Sequence, residues 1–425
     1  MKRSWTPMVR AAAVGALALA MAAACSGQQS PSTPGEKIQL KIAFWGDFGL
    51  DELEKQYEAA NTNVDIVLNT GEYNAQHDAL QQALLAGSGA ADIAAIDEGK
   101  IVQFRSQANK FVNLLDKGAG SRKGDYLGWK WEQATSSDGK VIGLGTDIGG
   151  LAMCYRTDLF QEAGLPTDRE AVSALWPTWD QFFATGQTYV AAAGGKKFVD
   201  NATNLYNPIL GQQAVGHFDT SENLKMEGGP KVAFDLSIKA IDLGLSANLG
   251  SFSPEWNAGF VDGNFAVLAC PAWMLGHIKN TAGDANKGKW DIAAIPGGGG
   301  NWGGSFLTVP AQGKNVDEAY KFIDWVTQPA QQLAIFQKVG NMPSQPGMYT
   351  DPALLDFKND YFNNAPVGQI FTKTAQGLKP QYLGKKNNEV RAAVENVLNS
   401  RQAGTITSEA AWPKALEEAQ KAAAA

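Results

Sequence analysis

The chain has 425 residues, 44% of them hydrophobic, which is enough to bury a large core and is most simply divided between two lobes. Its 43 Asp and Glu outnumber its 36 Lys and Arg, for a net charge of −7 at pH 7. That sign is wrong for a protein that tracks phosphate backbones, which argues against nucleic acid as a partner.

The N-terminal residues are set apart first. Lys2, Arg3 and Arg10 give a basic head, and the uncharged stretch Ala11 to Ala24 stops on Cys25. It is shorter than the ~20 apolar residues that a membrane-spanning helix needs. A basic head, a short apolar run and small residues before a break are the layout of a secretory signal over residues 1–24. Its removal takes away three positive charges and no negative ones, moving −7 to −10. The stretch Ala22-Ala23-Ala24-Cys25 resembles the lipobox of bacterial lipoproteins, in which the cysteine is acylated and becomes the new N-terminus, although Ala22 stands where a large aliphatic is usual. The alternative is an ordinary cleavage site followed by an incidental cysteine, which leaves a reactive thiol exposed on an exported tail. Residues 25–37, rich in Ser, Gln, Pro and Gly, read as a flexible tether.

From Ile38 to Phe44 the residues alternate as in a strand, a Gly-containing turn follows, and a helical pattern runs to Asn61. Val64 to Thr70 reads as a second strand, Asn74 to Leu85 as a helix, and Ala91 to Asp97 as a third strand. Alternating strands and helices predict an α/β fold with a mostly parallel sheet covered on both faces. Ligands of such sheets sit beyond the carboxyl ends of the strands, and those ends carry Trp45 with Asp47, and Asp97 with Glu98. After Gly139 to Pro166 helical stretches dominate and a second lobe begins, with a strand at Phe265 to Cys270. Trp290 to Pro310 returns to strand and glycine, and Gly297 to Gly300 reads as a loop. Helical spacing recurs from Val316 to Gln337, where Trp325 falls on the core face, and again from Glu409 to Ala425.

Chemistry-bearing motifs are sparse. His77, His217 and His277 are far apart in sequence, none in a metal-ligand spacing, and each reads as an ordinary surface or partly buried residue, so no metal and no cofactor are expected. Gly283 to Lys289 matches the spacing of a P-loop, but Trp290 takes the Ser/Thr place and no strand leads into it, so it reads as a solvated loop. No G-x-S-x-G elbow occurs, and nothing announces an enzyme.

The order of "FWGDFG", "LLAGSGAADIAAIDEG", "GGLAMCYRTDLFQEAGLP", "FVDGNFAVLACPAWM", "IPGGGGNWGGS" and "AYKFIDWVTQPAQQLAIFQKVGNMPS" resembles the extracytoplasmic sugar-binding proteins of ABC transporters, the family of the maltose-binding protein. The resemblance covers nearly all of the chain after the signal. It implies two α/β lobes joined by three crossings, with a hinge and an interlobe ligand cleft. Carried onto this sequence, lobe one comprises residues 38–148 and 306–341, and lobe two residues 149–305 and 342–425. It further implies a monomer that hands an oligosaccharide to an ABC permease, and a tether to the membrane through lipid on Cys25 would keep it beside that permease.

A pyranose offers flat C–H patches and a rim of hydroxyls, so its site needs aromatic plates and fixed acceptors. The chain carries 12 Trp, and Trp45, Trp256, Trp273 and Trp302 stand near strand ends or in Gly-rich loops. For each of them packing between lobe elements is the alternative. Asp47, Asp97, Glu98 and Asp147 are candidate acceptors, with helix capping as the alternative. Two other activities compete: a secreted glycoside hydrolase, which also combines indole plates with paired carboxylates, and a receptor for a non-sugar solute. Cys154 and Cys270 lie in strand-like runs of an exported chain, so either a disulfide or two separate buried thiols is expected.

Overall fold

A computed structural model describes residues 37–424; the expected signal, Cys25 and the tether up to residue 36 lie outside the described residues. Strand β1 (Ile38–Trp45) alternates as its sequence requires, with Leu40, Ile42 and Phe44 buried. It pairs in parallel with β2 (Val64–Gly71) on one side and with β3 (Ile93–Asp97) on the other. Two later strands complete this sheet: β4 (Gly143–Gly145) at its edge and, between β3 and β4, an antiparallel strand that returns from far along the chain. The core under the sheet joins Leu40, Ile42 and Phe44 to Phe322 and Ile323.

The chain leaves this first lobe through β5 (Asp147–Ile148) and enters the second at β6 (Leu151–Arg156). The second sheet has the order β7-β8-β6-β9, with β7 (Lys197–Val199), β8 (Phe265–Pro271) and β9 (Trp290–Ala293). Both faces of β6 are covered, so its residues are apolar without interruption. Met153 and Tyr155 point into a core with Trp176, Phe182 and Phe198, whereas Ala152 and Cys154 point into another with Trp256, Phe260 and Trp290. Cys154 and Cys270 are bonded in that second core, with Cα atoms 5.4 Å apart across the β6–β8 ladder.

The return to the first lobe runs through Asn301–Gly304 into β10 (Ser305–Thr308), the antiparallel strand of the first sheet. The third crossing is β11 (Met342–Pro343), which pairs with β5 in the register Met342↔Ile148 and Pro343↔Asp147. The three crossings lie side by side: Trp302 N donates to Gly149 O at 2.8 Å, and Ser344 N to Thr146 O at 3.3 Å. Gly149 is required there, because a Cβ would stand 1.8 Å from Trp302 O.

The helical spacing between Val316 and Gln337 is two helices rather than one, Val316–Val326 and Pro329–Val339. Pro329 lacks the N–H to continue the first and instead opens the second, after Gln328 at ψ 153°. Trp325 is partly buried against Tyr57 and Phe322 at the flank of the first core. Among the described residues no helix is long and apolar enough to cross a membrane.

Candidate ligand-binding cleft

Between the lobes lies a cleft of about 1120 Å³ whose walls include Trp45, Asp47, Asp97, Glu98, Asp147, Trp273 and Trp302. The strand-end rule accounts for the first-lobe wall: β1 delivers Trp45 and, after Gly46 at φ +59°, the exposed Asp47, while β3 delivers Asp97. Asp47 Oδ1 accepts from Gly49 N at 2.8 Å and its Oδ2 from Asn280 Nδ2 of the second lobe at 3.2 Å. Asp97 caps the Glu98–Arg105 helix by accepting from Gly99 N at 2.8 Å, so capping and a place in the cleft wall belong to the same carboxylate.

The other two carboxylates form the floor. Glu98 accepts from Gln133 Nε2 at 2.9 Å and from Asn301 Nδ2 at 2.6 Å. Asp147 Oδ1 accepts from Thr146 Oγ1 at 2.8 Å and from Ser305 N at 2.9 Å. Burial pushes both above the usual carboxylate range, against the pull of Lys130. Lys130 is itself fully buried behind Gly304, its Nζ 4.0 Å from the centre of the Phe306 ring, and burial lowers its pKa while Glu98 and Asp147 oppose that shift.

Three of the four tryptophans singled out from the sequence reach the cleft. Trp45 stands edge-on to Tyr73 at 5.3 Å and lies 4.6 Å from His77. Trp273 ends the turn after Pro271 and donates from Nε1 to Trp302 O at 3.2 Å, with the two indoles 5.8 Å apart at 66°. Trp256 is not in the wall. It is 0% exposed in the second-lobe core, where its Nε1 donates to Asp200 Oδ2 at 2.7 Å. The expectation that it forms a plate is corrected: Ser253 and Pro254, read as loop residues, cap and open the Pro254–Asp262 helix, which turns the indole inward.

His77 and His217 also differ from their expected surface or partly buried placement, being 2% and 1% exposed. His77 Nδ1–H donates to Tyr73 O at 2.7 Å and Nε2 accepts from Asp97 N at 3.1 Å, which fixes the neutral tautomer, and burial lowers its pKa. The loop Gly297 to Gly300 is a loop in the structure, with φ positive at all four residues, but it is Gly303 and Gly304 that line the cleft.

Sequence reasoning missed several lining residues. Trp129 lies on the short helix Gly128–Gln133, and Phe252 lies in a loop of the second lobe. Arg391 and Asn388 project from the helix Asn387–Gln402, where Asn388 Nδ2 donates across the cleft to Gly99 O at 2.7 Å and Arg391 lies close to Asp97 and Tyr73. No local pattern marks them, because their role comes from the apposition of two lobes. Among the described residues no group of three or more His, Cys, Asp and Glu is placed to hold a metal ion.

Comparison with known proteins gives consistent findings. Residues 52–361 match the model of a family described as bacterial extracellular solute-binding protein. The arabinooligosaccharide-binding protein of Bacillus subtilis (strain 168) is 26% identical over 394 residues, covering 85% of this chain and 86% of that protein. The lactose-binding protein of Rhizobium radiobacter is 24% identical over 379 residues, covering 84% and 83%. A crystal structure of an extracellular solute-binding protein family 1 is 41% identical with a TM-score of 0.78 and covers 91% of this chain and 100% of its own. The ABC transporter associated binding protein from B. animalis subsp. lactis Bl-04, in complex with beta-1,6-galactobiose, shares the fold at 22% identity with a TM-score of 0.78, covering 91% and 97%.

Proposed function

The chain belongs to the bacterial extracellular solute-binding protein family, and from that premise we propose that it binds a sugar, most simply an oligosaccharide, between its lobes and delivers it to an ABC permease. The observation that carries this reading is the cleft itself: indoles from both lobes and hydrogen-bonded carboxylates face one space of about 1120 Å³. Trp45 and Trp273 offer flat apolar faces, and Asp47, Asp97, Glu98 and Asp147 offer acceptors for hydroxyl rims. That volume exceeds the ~300 Å³ at the small end of ligand sites, which supports a ligand of more than one ring. The relatives known as arabinooligosaccharide- and lactose-binding proteins support the same class of ligand.

On this reading the protein is a monomeric receptor and not an enzyme, its lobes are residues 38–148 with 306–341 and the remainder, and lipid on Cys25 holds it at the membrane. A thermal-shift screen of pentoses, hexoses and di- to tetrasaccharides tests the ligand class, since a ligand at 100 times its Kd adds about 2.7 kcal/mol. Labelled sugar recovered unchanged after saturable binding is the expected result, and its cleavage would favour a hydrolase instead. Cys25→Ala should release the protein from membranes into the medium; retention would remove the lipid tether.

A further inference from the structure

Phe252 is the one aromatic among the large apolar side chains exposed in the described residues, 55% exposed in the cleft wall of the second lobe. Its backbone has φ +63°, a region that glycine and asparagine enter readily and a bulky side chain rarely does. Core packing does not account for it, because more than half of the residue is left in solvent. Turn geometry does not account for it either, since a glycine would make the same turn without strain. The neighbours hold the ring in place: Ser251 Oγ donates to Asn204 Oδ1 at 2.7 Å, and Ser253 Oγ accepts from Trp256 N at 3.1 Å as the cap of the next helix. Strain kept in an exposed residue by anchored neighbours is found where function needs the side chain presented.

The ring has a definite orientation. It lies at 23° to Trp273 with the centroids 6.5 Å apart, and it meets His277 edge-on at 5.4 Å. Phe252 and Trp273 therefore present near-parallel faces whose separation is on the scale of one sugar ring. Having no polar atom, Phe252 can reward only a C–H face and the release of water from it.

We propose that Phe252 is a specificity-determining residue of the cleft, contacting the sugar unit beyond the one on Trp273 and so setting a preference for longer chains. The inference rests on the sugar-binding reading above. Its test compares the parent protein with Phe252→Gly and Phe252→Tyr, by calorimetry against mono-, di-, tri- and tetrasaccharides of the sugar found to bind and by thermal unfolding without sugar. Phe252→Gly should unfold at the same temperature or higher, because the turn relaxes and little burial is lost. It should weaken the longer sugars at least tenfold more than the monosaccharide, and Phe252→Tyr should return them to within threefold of the parent. Equal affinity for every length, an equal loss for every length, or a lower unfolding temperature without a length-dependent loss would each overturn the assignment. A parent protein that binds no sugar of the series would instead overturn the sugar reading, and this assignment with it.

Discussion

Asn301 donates from Nδ2 to Glu98 Oε2 at 2.6 Å and accepts at Oδ1 from Gly149 N at 2.8 Å, so one side chain ties the first lobe to two of the three crossings. Asn301→Asp removes a hydrogen bond to a charged group, worth about 1.5–3 kcal/mol, and sets two buried carboxylates against each other. One of the pair then holds a proton in the folded state well above the pH at which it would lose it unfolded. The variant's deficit is therefore largest near pH 7 and shrinks as the pH falls toward 5. Glu98→Gln in the Asn301→Asp background exchanges the two functional groups and should recover most of the loss. Urea midpoints at pH 5 and 7 measure this, and parent-like stability of Asn301→Asp at pH 7 would remove the tie.

Trp273 should carry much of the affinity. Its bond to Trp302 O and its contact with the Trp302 ring hold the indole in place before ligand arrives, so little ordering is left for binding to impose. Trp273→Ala is expected to cost roughly 2–4 kcal/mol, or about thirtyfold to a thousandfold in Kd. Trp273→Phe keeps an aromatic face and loses the bond to Trp302, so it should fall between the two. Calorimetry on folded protein decides, and a Kd within threefold of the parent for Trp273→Ala rules out the platform.

Local pattern made the early strands and their ends legible, because alternation in β1 and the apolar run before Asp97 are set by neighbours in sequence. Trp45 and Asp97 followed from strand ends alone. The place of β10 between β3 and β4 was not legible, since that pairing joins segments more than a hundred residues apart and leaves no trace in either. Trp256 shows the opposite failure: Ser253, Pro254 and Glu255 are a readable helix start, but the indole's burial depends on Asp200, a partner no local window contains. Trp129 and Arg391 became site residues only when two lobes faced each other.

The bond between Cys154 and Cys270 spans 116 residues of sequence, and on the chain-entropy account closing a loop of that order stabilises by up to about 4.7 kcal/mol. Both cysteines are 0% exposed, inside the core beneath the cleft. The double variant Cys154→Ala with Cys270→Ala should therefore unfold at clearly lower urea while keeping sugar affinity within threefold. In a chain carrying Cys25→Ala, no free thiol should titrate after denaturation without reductant. Two titrated thiols would rule out the bridge.

Stability should fall in mild acid, and His217 gives the sign. Burial pushes its pKa down to about 4, with its ring between the Tyr206 hydroxyl at 2.8 Å and Asn387 Oδ1 at 3.2 Å. Between that value and the unfolded value of about 6.5, the unfolded chain binds a proton that the folded one does not. This contribution is present above pH 6.5 and is lost as the pH falls to 4, to the extent of about 3 kcal/mol. Asp200 acts in the opposite direction: burial pushes it up to about 6, so the folded state takes up a proton earlier and gains stability as the pH falls from 6 to 4. The whole-protein profile mixes the two, whereas the difference between the parent and His217→Gln isolates the histidine. That difference should shrink by about 3 kcal/mol from pH 7 to pH 4, and a difference independent of pH would show that His217 takes up its proton equally in both states.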